Sequence, residues 1–496
     1  MATALIPHTD VAGMARPAGE LDVQRALAPY GGPWNARLAA HLLRRAGFGG
    51  TPGEIARFAA MPVHQAVDQL QKLPAADAIA PPDNLYSLSA AIAQLFPNGR
   101  PKDVDDTERR RIFEQIRMGE RTSIVSLQNW WLNRMLSTPA PLQEKMTLFF
   151  HGHFTSAAIQ KGADPQMMFA QNQLFREYAL GNLRDLTWQV SIDPAMLIYL
   201  DNATNVAQHP NENYARELME LFTLGVDHYT ENDVRESARA WSGWIVNRRT
   251  GAAQFLPGRH DSGTKTFLGQ TGNWTGQDIV NIIYRQPACA MFWANTLLNF
   301  FVYNDPEPAL VSSLANVIRA HDFELRPIMS TLLRSNVFFS QRAYRALVKS
   351  PAEFTIGTYK ALELTEIGLQ GQRALAQMGQ VLFYPPNVAG WPGGANWLTT
   401  QTMIARANFV ASIVNSPAMT GDSWLQSMPM RSQEAAGALV ERMLLGDASG
   451  SALAQLTAYL DGSNTSALGV LSPENFQERL RGGIYLTMAM PAYQLG

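Results

Sequence analysis

Residues 211–225 concentrate three carboxylates, an amide and a guanidinium at helical spacing. At 100° per residue, one arc of the predicted helix carries these polar side chains, which are Glu212, Asn213, Arg216, Glu217 and Glu220. Tyr214, Ala215, Leu218, Leu221 and Phe222 fall on the opposite arc. Paired carboxylates are the groups used in acid/base hydrolysis and in binding divalent metals. The stretch therefore predicts an amphipathic helix with a candidate site on its polar face.

A simpler interpretation of this face is ordinary surface ion pairing. Arg216 lies four residues from both Glu212 and Glu220, and each such pair contributes only ~0.3–0.5 kcal/mol to helix stability. This interpretation leaves Glu217 and Asn213 unexplained, so these two residues carry the functional hypothesis. Asn211 is predicted to cap the helix, and Gly225 to end it in a left-handed conformation.

His151 and His153 form a second candidate. In an extended loop, their spacing of two would place both imidazoles on one side, where a carboxylate could complete a divalent metal site. The alternative is a pair of structural histidines, one with its hydrogen bonds satisfied and the other exposed. No cofactor is otherwise expected.

A third candidate lies in residues 258–266, which include His260, Asp261 and Lys265. Asp261 could orient His260 as a general base, and Lys265 could hold a phosphate or carboxylate. Alternatively, Asp261 bonds its own backbone in a turn with Ser262 and Gly263.

The loop at residues 384–397 combines aromatic rings with amides among many Pro and Gly residues. Rings such as Trp391 stack on the apolar faces of sugars, and amides such as Asn387 bond their hydroxyls. Trp244 is included among the predicted substrate contacts. The alternative is that Trp391 and Trp397 fill the core beneath a stiff loop.

The elements that position these groups are predicted to be mainly α-helical. Helical periodicity dominates the sequence, apart from a small β-hairpin predicted at residues 245–276. We predict an irregular arm at residues 1–33, one large helical core at 34–415 and a helical extension packed on that core at 416–496. Capping boxes are predicted at Thr51 with Glu54 and at Thr230 with Asp233.

Composition excludes several classes of partner. The net charge is -2, from 40 Lys and Arg against 42 Asp and Glu, and no long run of either sign suggests nucleic acid or an anionic membrane. No segment approaches the ~18 consecutive apolar residues of a membrane span. Cys289 is the only cysteine, so neither an intramolecular disulfide nor a cysteine-based zinc site is expected. The first ten residues lack a secretion signal, which predicts a cytoplasmic chain.

Taken together, the motifs resemble the bacterial domain of unknown function 1800 family over residues 34–415. The resemblance is carried by segments in the same order as in that family: 40–49, 150–154, 211–227, 233–244, 259–261, 265–269, 348–354 and 385–392. It implies an exported or periplasmic protein, a sulfatase-like partner protein and chemistry on an envelope or extracellular polymer. The sequence departs from the family in lacking an export signal and in carrying Gly152 where members usually have Asn.

The matching segments favour one shared polar cleft over separate structural explanations. We expect a hydrolase-type enzyme that cleaves a polar polymer, with a polysaccharide favoured. Glu217 or Glu212 would be the general acid or base and Glu220 the second carboxylate, while His153 and His260, the latter oriented by Asp261, would assist proton transfer. Arg216 and Lys265 would hold the substrate, and Asn213, Asn387, Trp391 and Trp244 would contact it. The alternatives are a non-catalytic glycan- or partner-binding protein and a metal-dependent enzyme using His151, His153 and a glutamate.

Overall fold

The computed structural model describes residues 22–74, 79–83, 85–87, 90–91, 105–158, 163–247, 250–419, 423–462 and 476–496. It confirms a mainly α-helical fold. The α-helices are Val23–Ala26, Ala36–Arg45, Pro52–Ala59, Val63–Leu70, Asp106–Ser137, Pro141–His153, Pro165–Glu177, Leu183–Ser191, Pro194–Tyr199, Asn213–Glu217, Glu231–Trp241, Gly276–Tyr284, Pro287–Phe301, Pro308–Ala320, Leu325–Leu333, Pro351–Ala361, Leu369–Gln377, Thr400–Val414, Ser423–Gln426, Ser432–Leu444, Gly450–Asp461, Phe476–Ala489 and Pro491–Gln494. Short 3-10 turns lie at Asn202–Thr204, Pro257–Arg259, Gly394–Leu398 and Pro417–Met419.

The β structure between residues 244 and 272 consists of two small antiparallel pairs, where the sequence predicted one hairpin. Trp244–Val246 pairs with Ala253–Phe255, and Lys265–Phe267 pairs with Gln270–Gly272. The second pair packs against the helix Glu231–Trp241. These short ribbons are too small to be stable alone and depend on the helices beneath them.

The predicted helix starts are confirmed where a capping box was expected. Thr51 accepts a hydrogen bond from the Glu54 backbone, and the Glu54 carboxylate accepts one from the Thr51 backbone. Thr230 and Asp233 make the same reciprocal pair at the start of Glu231–Trp241. Each cap satisfies backbone donors that a helix start would otherwise leave without partners.

Two hydrophobic clusters form the interior of the described residues. One collects apolar side chains from the helices between residues 26 and 343. The other joins Leu127 and Trp131 of the long helix Asp106–Ser137 to apolar residues between 352 and 493. Apolar side chains of residues 419–493 therefore share a core with Phe354 and Phe409. None of the helices in the described residues is long and apolar enough to cross a membrane.

Candidate functional site

The helix that carries the candidate carboxylates changes its geometry half-way along. It is α-helical over Asn213–Glu217 and π-helical over Leu218–Thr223. The N-cap is Glu212, without a side-chain capping bond, so the prediction that Asn211 caps the helix is wrong by one residue; the Asn211 side chain instead accepts a 3.0 Å hydrogen bond from the Asn213 backbone. Gly225 has a φ of 82°, in the left-handed region that suits a helix end. π-Helical turns are rare and recur at functional sites, so this turn is consistent with a functional role for the segment.

The apolar arc of this helix is buried, as predicted. Tyr214, Leu218 and Phe222 are each no more than 2% exposed. In the π turn, the Phe222 carbonyl accepts a 2.9 Å hydrogen bond from Nε2 of His153, which fixes the Nε2–H tautomer of that histidine. The helix is thus attached to the core by side-chain packing and by a bond to its backbone.

On the polar arc, Arg216 is committed to two carboxylates other than the predicted Glu220. Its guanidinium makes a bidentate pair with Glu231 at 2.7 and 2.8 Å and a weaker contact with Glu212 at 3.3 Å. The prediction that Arg216 links Glu212 to Glu220 is therefore wrong in its second half. Glu231 begins the next helix and displaces Glu220 from the pair, because a bidentate fork is the preferred geometry for Arg.

Glu220 is instead bound by a phenol. Its Oε2 accepts a 2.7 Å hydrogen bond from the Tyr229 hydroxyl. Burial, followed by this hydrogen bond and the charge of Glu220, raises the pKa of Tyr229 to about 12.

Glu217 differs from the other carboxylates of the face. It is half-buried, and in the described part of the chain its carboxylate makes no hydrogen bond and no ion pair. Burial raises its pKa above the usual range, and the nearby charge of Glu220 raises it further against a smaller opposing effect of Arg216. The surroundings of Glu217 therefore favour its protonated form.

Tyr199 lies within electrostatic range of both Glu217 and Tyr384. Burial raises the pKa of Tyr199, with smaller contributions from Glu217 and then Tyr384. Tyr384 begins the 384–397 loop and is 41% exposed. The carboxylate face and the aromatic loop therefore meet around Tyr199. Sequence reasoning missed Tyr199, Tyr229 and Tyr384, and only the position of Tyr384 in that loop could have drawn attention to it.

The other polar residues of the helix are more exposed. The Asn213 amide donates a 3.2 Å hydrogen bond to the Asp201 carboxylate, and Asp201 has a left-handed φ of 60°. Glu212 is 41% exposed at its side chain. Exposure and pairing with Arg216 make Glu212 a poor candidate for acid/base work, whereas Asn213 remains accessible to a ligand.

The His151–His153 prediction is corrected in its geometry. Both residues lie in the last turn of the helix Pro141–His153 rather than in an extended loop, so their side chains diverge by roughly 200°. Nε2 of His151 accepts a 3.0 Å hydrogen bond from the Phe383 backbone, while His153 packs against Phe149 and Trp293. The two imidazoles therefore cannot share one metal ion in this structure.

Burial also sets the protonation state of both histidines. It lowers the pKa of His151 to about 3, and it lowers the pKa of His153 to about 4 despite the bond to Phe222. Both rings are neutral near pH 7. Because Nε2–H of His153 is bonded to the Phe222 carbonyl and its ring packs against Phe149 and Trp293, the structure does not support the prediction that it assists proton transfer. The described residues contain no group of three or more His, Cys, Asp or Glu side chains suited to a metal ion. A divalent metal stays a prediction.

The prediction that Asp261 orients His260 is also wrong. Nδ1–H of His260 donates a 2.9 Å hydrogen bond to the Ser242 carbonyl. Asp261 makes a bidentate pair with Arg239, at 2.7 and 3.1 Å, and accepts the Gly263 backbone in a turn at 2.8 Å. An arginine from the preceding helix outcompetes the adjacent histidine because its fork matches both carboxylate oxygens.

Lys265 has a structural position as well. Its side chain is fully buried, and its ammonium donates to the backbone carbonyls of Asp261 and Gly263 at 2.6 and 3.0 Å. The prediction that Lys265 binds substrate is corrected, because these bonds hold the ammonium inside the turn. In the described residues, no hydrogen bond, ion pair or ring contact joins His260 or Lys265 to Glu217 or Glu220.

The aromatic loop packs against the histidine helix. The Trp391 ring lies over His151, with centroids 5.5 Å apart, and a Cβ added to Gly152 would lie 3.5 Å from that ring. Trp391 is partly exposed, and its indole N–H has no partner in the described residues. Asn387 is exposed, with its side-chain oxygen bound to the Ala389 backbone at 2.9 Å. Trp391 thus both covers the core and presents part of its surface.

Trp244 lies on the other ribbon, where it packs against Trp188 and Phe255. The structure brings three of the four predicted segments into contact: the carboxylate helix, the histidine helix and the aromatic loop. The His260 segment instead contacts residue Ala207, through its Arg259 carbonyl, and the helix that carries Arg239.

Residues 41–495 match the model of a family described as "Protein of unknown function (DUF1800)". The chain belongs to this family. The DUF1800 match extends 80 residues beyond the 34–415 region that the motifs indicated, and so includes the helices that share a core with Phe354. No curated protein and no solved structure gives a significant match to the chain.

Proposed function

We propose that this DUF1800 protein cleaves a polar polymer, with a polysaccharide favoured, by acid/base chemistry at Glu217 and Glu220. The observation that carries the proposal is the contrast between these two carboxyls. Glu217 is half-buried, has no hydrogen-bond or ion-pair partner among the described residues, and has a raised pKa, whereas Glu220 accepts a hydrogen bond from Tyr229. A half-buried carboxyl whose pKa is raised suits a general acid, and a second carboxyl on the same helix face can serve as the base.

In this proposal, Glu217 is the acid and Glu220 the base. Glu217 donates its proton to the oxygen of the leaving group as the bond to that oxygen breaks. Glu220 accepts a proton from the attacking water, whose oxygen forms the new bond. After the reaction Glu217 is deprotonated and Glu220 is protonated. Proton exchange with solvent restores the starting state of both carboxyls before the next turnover.

The aromatic loop supports a sugar substrate. Tyr384 is exposed and, like Glu217, lies within electrostatic range of Tyr199. Trp391 is partly exposed, and the amide of Asn387 is accessible. Rings next to amides suit the apolar faces and hydroxyls of sugar residues. Asn213 is proposed as a further contact from the carboxylate helix. Export and a sulfatase-like partner protein, both implied by the family resemblance, stay predictions.

The test is turnover of a polysaccharide panel that includes bacterial envelope polymers. We expect reducing ends to be released by the wild-type protein and the Glu217→Gln variant to be slowed at least ~100-fold, as for loss of a general acid. Glu212→Gln is the matched control, because Glu212 lies on the same helix but is exposed and paired with Arg216. It is expected to retain most of the activity.

The second candidate function is glycan binding without catalysis, favoured by the exposed Tyr384 in an aromatic loop. Binding of a polysaccharide with no turnover by the wild-type protein would support this function and exclude the enzyme. Equal losses of activity in Glu217→Gln and Glu212→Gln would show that the activity does not depend specifically on the pair Glu217 and Glu220.

A further inference from the structure

Further carboxylates surround the proposed catalytic pair, Glu217 and Glu220. Glu212 lies on the same helix, and Glu231 reaches the face from the start of the next helix, where both pair with one arginine. Asp201 adjoins the face, because its carboxylate accepts a 3.2 Å hydrogen bond from a side-chain amide at the start of the carboxylate helix. Three carboxylates thus lie beside the two that would carry out the chemistry.

Two arginines, Arg216 and Arg235, lie next to these carboxylates, and both act on Glu231. Arg216 binds Glu231 at 2.7 and 2.8 Å and contacts Glu212 at 3.3 Å. The Arg216 hydrogen bond lowers the pKa of Glu231 against the effect of burial, and the charges of Arg216 and Arg235 lower it further. In the described part of the chain, Arg216 is the only ion-pair partner of the four glutamates of the face, which are Glu212, Glu217, Glu220 and Glu231.

The face is therefore negative whether Glu217 is protonated or ionised. With Glu217 protonated, two arginines oppose the four remaining carboxylates, which are Glu212, Glu220, Glu231 and Asp201. Ionisation of Glu217 adds a further negative charge. The whole chain has a net charge of only -2, so the excess at this face is local, and local charge decides which charged groups approach a site.

The cations that the sequence predicted to hold a substrate are not available for an acidic one. Arg216 is engaged by Glu231, and the Lys265 ammonium is buried in a turn, where it donates to backbone carbonyls at 2.6 and 3.0 Å. The aromatic loop offers uncharged surfaces instead, because Tyr384 is exposed and Trp391 is partly exposed. Such rings bind sugars through their apolar faces rather than through charge.

We propose that the polysaccharide cleaved at this site carries no acidic groups, and that Glu231 sets this preference by neutralising Arg216. The preference belongs to the site of the proposed function and rests on that function. A uronate, sulfate or phosphate group entering the site would be repelled by Glu212 and Glu220, and like-charge contacts of this kind reject a ligand. Hydroxyl and N-acetyl groups meet no such repulsion.

The test compares two forms of one polymer that differ in charge. The polymer that the wild-type protein cleaves fastest is converted to its opposite form: a neutral polymer by partial oxidation of its C6 hydroxyls to carboxylates, an acidic one by methyl esterification. We expect kcat/KM to be at least ~10-fold higher for the neutral form in about 20 mM NaCl. The difference should shrink in about 0.5 M NaCl, because salt screens the repulsion.

Affinity electrophoresis with the same two forms separates the charge preference from the chemistry. Binding of the neutral form without turnover would overturn the acid/base function and still support the charge preference. Equal or faster cleavage of the acidic form would overturn the charge preference alone. Neither binding nor cleavage of any polymer would overturn both.

Variants assign the preference to the pair of Glu231 and Arg216. Glu231→Gln releases Arg216 and should lower the preference for the neutral form ~3-fold, a modest change because both side chains are partly exposed. Glu108→Gln is the matched control, because it removes a bidentate pair with Arg111, at 2.8 and 2.5 Å, from the helix Asp106–Ser137. It changes the net charge equally and should leave the preference unchanged.

Arg216→Gln is the opposite test. Removing this cation should increase the preference for the neutral form, since the carboxylates of the face lose their ion-pair partner. A selective loss of activity on the acidic form's cleavage site, with the neutral form cleaved as before only in the presence of Arg216, is not expected. Equal effects of Glu231→Gln and Glu108→Gln would show that the net charge of the protein sets the preference, and would overturn the role of Glu231.

Discussion

Nε2 of His153 donates a 2.9 Å hydrogen bond to the carbonyl of Phe222, in the π-helical turn of the carboxylate helix. The bond joins the end of the helix Pro141–His153 to the backbone that carries Glu220. It also explains why His153, although close to the proposed site in sequence pattern, is not available for proton transfer. The histidine acts on the opposite side of the helix from the carboxylates, as a positioning residue.

Replacing His153 with Phe tests this structural role. Phenylalanine keeps the ring within the aromatic cluster of Phe149 and Trp293 but leaves the Phe222 carbonyl without its donor. We expect a loss of ~1–3 kcal/mol in the free energy of unfolding, which is the cost of a buried group left unpaired. Urea unfolding measures it. A change below ~0.5 kcal/mol would contradict the importance of this bond.

His151 is predicted to make stability depend on pH. Its pKa is about 3 in the folded protein, below its ordinary value of 6.5, because it is buried. Between pH 6.5 and pH 3 the unfolded chain binds a proton at His151 that the folded protein does not bind. The free energy of unfolding therefore falls as pH decreases from 6.5 towards 3. The variant His151→Gln retains an acceptor for the Phe383 backbone. It should reduce the slope of the free energy of unfolding against pH by about 1.4 kcal/mol per pH unit.

The slope is measured by urea unfolding between pH 5 and 6, where the unfolded histidine is mostly protonated. His64→Gln is the control, because His64 is exposed, and its slope should match that of the wild type. If His151→Gln and His64→Gln gave the same slope, the burial of His151 would not be the source of the dependence.

Glu217 is predicted to have the opposite pH dependence. Its folded pKa is raised by burial, so the folded protein binds the proton more strongly than the unfolded chain, and stability is lost as pH rises above 4.5. The Glu217→Gln variant lacks this pH-dependent loss. Its free energy of unfolding should therefore rise relative to that of the wild type as the pH is raised from 4 to 7. The gain should stay below ~1 kcal/mol because solvent screens a half-exposed group.

Glu212→Gln again provides the comparison for Glu217. It removes the 3.3 Å contact with Arg216, so it should be neutral or slightly destabilising at pH 7. Thermal unfolding of Glu217→Gln and Glu212→Gln at pH 4 and at pH 7 compares the two variants. Greater stabilisation by Glu212→Gln than by Glu217→Gln would contradict the assignment of the raised pKa to Glu217.

The sequence was sufficient for features that depend on near neighbours in the chain. The burial of Tyr214, Leu218 and Phe222 follows from helical periodicity, and the left-handed Gly225 follows from its place after the helix. The bond that the Phe222 carbonyl accepts in the π-helical turn was not predictable, because its donor, His153, lies 69 residues earlier in the chain. Periodicity at 100° per residue contains no information about such a partner.

The partners of charged residues were the least predictable part of the site. Asp261 next to His260 suggested a catalytic pair, but Arg239 occupies the carboxylate from 22 residues away. In the same way, Arg216 pairs with Glu231 rather than with Glu220. A carboxylate pairs with the donor whose geometry and burial fit best, and that choice is made by the packing of helices rather than by proximity in sequence.

At the contact between the histidine helix and the aromatic loop, we expect alanine substitutions of two glycines to have opposite effects on stability. A Cβ at Gly152 would meet the Trp391 ring at 3.5 Å, an ordinary contact, so Gly152→Ala should be neutral or stabilise the helix end by ~0.5–1 kcal/mol. A Cβ at Gly390 would lie 2.2 Å from the Gly152 carbonyl oxygen, and Gly390 has a φ of 84°. Gly390→Ala should therefore lose ~1–3 kcal/mol from backbone strain alone, with the clash adding to it.

Thermal unfolding of the two alanine variants separates these effects, and each serves as the control for the other. Because the loop carries Trp391 and Asn387, Gly390→Ala should also weaken binding of any polysaccharide substrate more than Gly152→Ala does. Equal stability of the two variants would mean that the loop can move away from the histidine helix without cost. In that case the aromatic loop would not be held rigidly beside Glu217, and the sugar-contact role proposed for it would lose its structural support.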